Sequence, residues 1–218
     1  MRAKSDTYLH KGMRQKMVDG IRERGITDEQ VLTALLNVPR HFFLDSAFEK
    51  QAYEERAFLI GEDQTISHPY TVAYQSQLLQ VKPFDKILEV GTGSAYQACI
   101  LGELKAKIFT IERQKKLFDA NKSFEYLKSF PFIRTFYGDG FEGLPTYAPF
   151  DKILITAAAP FIPEKLLKQM KPGSVMVLPL NEGENQRMIR VTKTADGSLI
   201  EERFEEFSFV PMLIGKKE

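Results

Sequence analysis

The sequence contains a single cysteine, Cys99, and only three histidines, His10, His41 and His68, scattered along its length. One thiol excludes an intramolecular disulfide and any cysteine-rich zinc site, and agrees with a reducing compartment. The histidines show no ligand spacing, so no metal site is expected. Long hydrophobic runs are also missing: no apolar stretch approaches the ~20 residues of a membrane span. The opening MRAKSDTYLHKGMRQK has no apolar centre of the kind a signal peptide carries. The expectation is a cytoplasmic protein without membrane association. A dense basic tract is absent too. With 30 Lys and Arg against 29 Asp and Glu, mostly alternating, the formal net charge is +1, and nucleic acid is not an expected partner.

What is present suits one domain, with 218 residues of which 43% are hydrophobic. Met13, Met17, Val18 and Ile21 have helical spacing over residues 12–25, stopped by Gly25. Thr27 with Gln30 reads as the capping box of a second helix carrying Leu32, Leu35 and Leu36, ended near Pro39. A third helix is expected over Tyr70–Val81. Beyond it the pattern changes: KILEV (86–90), KIFTI (107–111), IRTFY (133–137), KILIT (152–156) and SVMVLPL (174–180) are short apolar runs without alternation. Helices are expected between them, near 94–104, 114–129 and 163–170. Such a series predicts an α/β fold, Rossmann-like and doubly wound, with a mostly parallel sheet covered by helices on both faces. RMIRVTKT and LIEERFEEFSFVPML flank Asp196-Gly197, a hairpin signal, so the sheet should end in antiparallel strands. The chain thus divides into a helical N-terminal extension with a substrate segment (1–70), an α/β core (71–180) and a C-terminal hairpin segment (181–218).

LEVGTGSAY (88–96) joins the first core strand to its helix, so Gly91 and Gly93 lie where the backbone turns tightly and a ligand can come close. A dinucleotide fingerprint would need glycine at Tyr96, and a P-loop would need Gly-Lys-Ser/Thr; both fail. Glu89 places a carboxylate two residues before Gly91, which disfavours a pyrophosphate and favours a ligand bearing an amino group and a sulfonium, such as S-adenosylmethionine. Glu112 ends the second strand about 20 residues on, the spacing of an acid that accepts from ribose hydroxyls. Asp139 ends the third, where it could accept from an adenine amino group.

These stretches resemble the protein-L-isoaspartate O-methyltransferase family, within the class I methyltransferases that use S-adenosylmethionine. The match runs through VPRHFF (38–43), AYEERAFLIGEDQTISHPYTVA (52–73), ILEVGTGSAYQA (87–98), FTIER (109–113), GDGFEGLP (138–145), PFDKILITAAAP (149–160), LKQMKPGSVMVLPL (167–180) and FVPM (209–212). TIS followed by Pro69 is the family-specific signal. The resemblance implies that Glu89, Gly91, Thr92, Gly93, Ser94, Glu112, Arg113, Asp139 and Gly140 line the cofactor site. It implies Ser67 as the catalytic residue, Gln64 and Thr65 bordering both ligands, and Val210 and Pro211 holding the substrate peptide. The implied substrate is a protein or peptide carrying L-isoaspartate, the implied product S-adenosylhomocysteine, and a monomer is expected. The chain departs from the family at Ala95, where a third glycine is usual, and at His68, where glutamine or alanine is common.

The implied reaction assigns Ser67 a role. A carboxylate, with a reference pKa of about 4, is already ionised at neutral pH, so no general base is needed. One hydroxyl donating a hydrogen bond to that carboxylate aids alignment, whereas an alkoxide nucleophile would not. From spacing alone, Ser67 also reads as a helix N-cap before Tyr70. Cys99 reads as a small buried side chain, Arg40 and His41 as packing and capping groups, and Phe42, Phe43, Phe132, Phe136 and Phe141 as core residues, one of which could stack on adenine. Two other functions fit the residues: a methyltransferase of this fold acting on another substrate, and a peptide-binding module without catalysis.

Overall fold

The computed structural model describes residues 5–183 and 185–218. α1 (Tyr8–Glu23) begins earlier than its apolar spacing predicts, because Thr7 caps it in a reciprocal box with His10. α2 (Glu29–Asn37) is capped by Asp28, whose carboxylate accepts from Gln30 N and Val31 N, and not by Thr27. The Thr27 and Asp28 amides instead donate to Gln77 Oε1, fastening α2 to the third helix.

The stretch between the second and third helices, read from sequence without a strand, contains a hairpin, β1 (Phe58–Gly61) and β2 (Gln64–Ile66). Its turn is made by Glu62 and Asp63 at φ 52 and 56, left-handed values taken without a central glycine, so the sequence carries no Asn-Gly type of signal. α3 (Pro69–Leu79) follows. Then come β3 (Lys86–Val90), α4 (Tyr96–Glu103), β4 (Lys107–Glu112), and two helices in place of one, α5 (Lys115–Lys122) and α6 (Glu125–Lys128). β5 (Ile133–Tyr137), β6 (Phe150–Ile155), a four-residue α7 (Glu164–Leu167), β7 (Met170–Glu182), β8 (Asn185–Lys193) and β9 (Leu199–Glu206) complete the chain.

The seven strands β3–β9 form one sheet in the order β5-β4-β3-β6-β7-β8-β9, parallel from β5 to β7 and antiparallel beyond. Alternate residues supply opposite faces. Ile87, Ile108, Leu154 and Val177 pack under the N-terminal helices and α4, while Leu88, Ile111, Ile153 and Met176 pack with Phe141, Leu166 and Met212. Burial on both faces is why these strands read as unbroken apolar runs. The six residues PFDKIL occur twice, at 83–88 and 149–154, and lead into the neighbouring strands β3 and β6, paired Leu88 to Ile153.

The N-terminal helix is locked by a polar cluster. His10 and His41 stack with ring centroids 3.9 Å apart, His10 Nε2 reaches Glu49 at 3.0 Å, and His41 Nδ1 meets the Tyr53 hydroxyl at 2.7 Å. Arg14 grips Asp6 at 2.9 and 3.1 Å. Burial pushes the His41 imidazole down to about 4, so it is neutral near pH 7.

Candidate active site

β3 and β6 are neighbours whose chains leave in opposite directions, β3 toward β4 and β6 toward β7, so a crevice opens beyond their carboxyl ends. The loop after β3 is shaped by that closeness. Gly91 has φ +98, and a Cβ on it would lie 2.5 Å from Thr156 Oγ1, so both the turn and the packing exclude a side chain. The Thr156 hydroxyl reaches the carbonyls of Val90 and Gly91 at 3.0 and 2.8 Å and ties the loop to the end of β6. Thr156 was not singled out from sequence; its position at the carboxyl end of a buried strand is the signal that could have found it.

Glu112 closes the loop from the other side. Its carboxylate accepts from Gly93 N and Gln114 N, both at 2.8 Å, and Asn121 Nδ2 donates to Gly93 O at 3.0 Å. Burial pushes the Glu112 carboxyl up, while these backbone N–H groups oppose the rise. Gly140 sits so close to Val90 that a Cβ would meet Val90 Cγ1 at 2.4 Å.

Two distant segments converge on this loop. Gln64 and Thr65 come from β2, and Val210 and Pro211 from the stretch after β9, anchored where Ala158 N donates to Val210 O and Met212 N to Ala158 O, each at 2.8 Å. Gln64, Thr65, Gly91, Gly93, Glu112, Arg113, Gly140, Val210 and Pro211 therefore line one cleft, of about 60 Å³. Ser67 is half-buried and follows directly on these residues without lining the cleft itself. It is not the cap of α3: His68 holds that position, and the Tyr70 amide donates to the Glu55 carboxylate at 3.1 and 3.2 Å. His68 Nδ1 lies 3.2 Å from Glu55 O.

Other expected site residues lie elsewhere. Glu89 is fully buried, neither carboxyl oxygen has a hydrogen-bond partner, and it does not line the cleft. Burial pushes its carboxyl up to about 8, so near pH 7 it is mostly protonated. Thr92 shares a 2.7 Å hydrogen bond with Thr110 beneath the loop, and Ser94 Oγ accepts from Tyr96 N at 3.3 Å. Ser94 borders a second, larger cavity of about 750 Å³ with Phe43, Leu117, Phe124 and Tyr126. Of the phenylalanines read as core, Phe43 and Phe141 are buried, whereas Phe132 is 56% exposed.

The C-terminal residues cross the Arg113–Asp139 end of the cleft. Asp139 accepts from Phe141 N at 2.9 Å and from Gly215 N at 2.7 Å, Arg113 Nε donates to Gly215 O at 3.0 Å, and Lys217 N donates to Arg113 O at 2.8 Å. The polar groups fit an adenosyl ligand: an acid at each of two strand ends and a glycine loop open to close approach. The volume lies below the roughly 300 Å³ of small-molecule sites, and the larger cavity beside it shares Gly93.

A glycine loop at the first parallel strand, an acid ending the second and an antiparallel strand beyond the switch point define a class I methyltransferase fold. The sequence profile of the protein-L-isoaspartate(D-aspartate) O-methyltransferase family matches residues 12–217. The chain is 49% identical over 212 residues to the protein-L-isoaspartate O-methyltransferase of Cytophaga hutchinsonii, covering 97% of this chain and 95% of that one. It is 47% identical over 211 residues to that of Christiangramia forsetii, covering 97% and 99%. In three dimensions it is similar to a solved protein-L-isoaspartate O-methyltransferase with a TM-score of 0.83 at 24% identity, covering 93% of this chain and 67% of that one. A Plasmodium falciparum protein described as a beta-aspartate methyltransferase, solved with S-adenosyl-L-homocysteine, gives 0.79 at 22%, covering 92% and 98%. The chain belongs to the protein-L-isoaspartate(D-aspartate) O-methyltransferase family.

Proposed function

We infer that this chain methylates the free α-carboxylate of L-isoaspartyl residues in damaged proteins and peptides, using S-adenosylmethionine and releasing S-adenosylhomocysteine. The observation that carries the reading is the meeting of Gln64–Thr65 and Val210–Pro211 over the glycine loop in one cleft, which supports reading these two segments as its substrate side. Bound there, S-adenosylmethionine supplies an electrophilic methyl group on a cationic sulfur.

The protein's part is alignment. The substrate carboxylate arrives ionised and supplies the electron pair for the new C–O bond, so no proton has to be removed. Ser67 donates one hydrogen bond to that carboxylate and fixes its direction of approach, while the segments around it exclude water that would otherwise solvate the anion. Glu112, Gly91 and Gly93 hold the cofactor's ribose and methionine side, and Arg113 with Asp139 its adenine side once the C-terminal residues have moved. Val210 and Pro211 present backbone to an extended substrate, a mode suited to many unrelated sequences. In the methyl ester methoxide leaves more readily than oxide would from the carboxylate, so the neighbouring backbone nitrogen attacks the ester carbonyl, methanol departs with the amide proton, and the succinimide formed is reopened by water in part to normal aspartate.

We place this activity in the cytoplasm, in a monomer acting on proteins and not on nucleic acid. Among the described residues no helix is long and apolar enough to cross a membrane. Transfer of labelled methyl from S-adenosylmethionine to an isoaspartyl peptide and to its aspartyl twin tests the reading. Label is expected in the first alone; equal labelling of both, or of neither, rejects it.

A further inference from the structure

Arg40, from the VPRHFF stretch, is fully buried. Its guanidinium donates to three backbone carbonyls of the segment ahead of α3: Nε to Ala52 O at 3.0 Å, and Nη2 to Arg56 O at 3.4 Å and to Ser67 O at 2.8 Å. Among the described residues no carboxylate forms an ion pair with it, and Nη1 has no hydrogen-bond partner. The guanidinium carbon lies 5.0 Å from the ring centre of Tyr96, the first residue of α4, directly after the glycine loop. Burial pushes its pKa down, yet a guanidinium stays protonated at any working pH.

A buried cation with no acid in ion-pair contact, only the more distant charge of Glu55, is costly, and an apolar side chain of similar volume would pack at lower cost. What the apolar side chain could not do is tie carbonyls 12, 16 and 27 residues downstream to a single rigid plane. One of those carbonyls belongs to the residue whose hydroxyl aligns the substrate. The same guanidinium lies over the ring of Tyr96, the first residue of the helix that follows the glycine loop, so one side chain touches both halves of the site.

We propose that Arg40 is a positioning residue for methyl transfer, holding Ser67 at a fixed place relative to the glycine loop. The proposal rests on the reading of Ser67 given above. It separates two effects of one side chain. Loss of the planar fork misplaces Ser67 and lowers kcat. Loss of the charge acts differently: the substrate carboxylate is neutralised as the new bond forms, so a nearby cation favours bound substrate over the transition state and its removal shows in KM.

The test is a double-mutant cycle with Arg40→Lys and Ser67→Ala, reading kcat, KM for an isoaspartyl peptide, and the Kd of S-adenosylhomocysteine. Arg40→Gln, which removes charge as well as fork, serves as the second variant and carries the cycle if Arg40→Lys does not fold. Ser67→Ala alone is expected to lower kcat about 100-fold, the scale of a misplaced reacting group. Arg40→Lys should lower it about tenfold with KM and Kd little changed, and Arg40→Gln should lower it similarly and raise KM. In either Arg40 variant, Ser67→Ala should cost less than about tenfold more, because residues acting as a unit are not additive. An unchanged kcat in Arg40→Lys, losses that multiply in full, or failure of both Arg40 variants to fold overturns the proposal. If Ser67→Ala alone leaves kcat intact, the reading of Ser67 falls and this proposal with it; if Ser67→Ala is damaging but the losses multiply, only the Arg40 proposal falls.

Discussion

The Glu112 carboxylate and the Gly93 backbone N–H are joined by a 2.8 Å hydrogen bond, and the other carboxylate oxygen accepts from Gln114 N at the same distance. One acid thus sets the curvature of the cofactor loop from the neighbouring strand. Glu112→Gln must turn an NH₂ group toward one of these two donors. A hydrogen bond to a charged group contributes about 1.5–3 kcal/mol, so S-adenosylhomocysteine should bind at least about tenfold more weakly by calorimetry. Unaltered affinity would show that the loop holds its shape without Glu112.

Ala95 is fully buried at φ 67, a left-handed value that favours glycine. The conformation costs an alanine about 1–2 kcal/mol. Changing it to glycine relieves that, but loses a buried methyl of about 0.8 kcal/mol and adds unfolded-chain freedom of about 0.4–1 kcal/mol. The contributions nearly cancel. Ala95→Gly should therefore alter stability by less than about 1 kcal/mol in urea unfolding, whereas Ala95→Val, β-branched at positive φ, should cost more than about 2 kcal/mol. A gain of several kcal/mol for the glycine variant would mean that the alanine is strained beyond its backbone angle.

Glu89 and His41 tilt stability in opposite directions with pH. The Glu89 carboxyl, ordinarily near 4.5, is raised to about 8 in the folded chain. Its contribution is fully present below pH 4.5 and is lost as pH rises through 8. For His41, ordinarily near 6.5 and lowered to about 4, the contribution is present above 6.5 and is lost as pH falls through 4. Thermal unfolding across pH 4–9 should show Glu89→Gln gaining progressively on the parent from about pH 4.5 to pH 8, with no further gain above pH 8. A constant difference between the two across that range would place the Glu89 carboxyl at an ordinary pKa.

Gly215 hydrogen-bonds both Asp139 and Arg113, the two residues proposed for the adenine side of the cofactor. Removal of residues 214–218 should speed association of S-adenosylhomocysteine in stopped flow by about tenfold, since a binding-competent state that is rarely populated reduces apparent affinity by its fraction. Unchanged association kinetics would mean that the C-terminal residues leave faster than ligand arrives.

Much of this architecture is legible in the sequence, for reasons visible in particular elements. β3 and β5 have the limits read from KILEV and IRTFY, because strands buried on both faces are written as unbroken apolar runs. Gly91 is legible because a tight strand-to-helix turn needs it. The β1–β2 hairpin is hidden by Glu62 and Asp63, which take left-handed angles without a turn signature. The third core helix shortens to Glu164–Leu167 because Met170 already begins β7. Glu89 stands at a strand tip in sequence, but a strand with no alternation does not reveal which face its acid occupies, and here that face is the core. Arg40 is illegible for another reason: its partners are backbone carbonyls, and carbonyls leave no mark on a sequence.

The alignment role of Ser67 is tested most directly by single-turnover methylation of an isoaspartyl peptide with the parent and Ser67→Ala, followed by mass spectrometry of the quenched enzyme. The account predicts a loss of about 100-fold in rate, retained affinity for S-adenosylhomocysteine, and no covalent adduct on either protein. An undiminished rate, or a methyl or peptidyl group found on Ser67 of the parent, would contradict it.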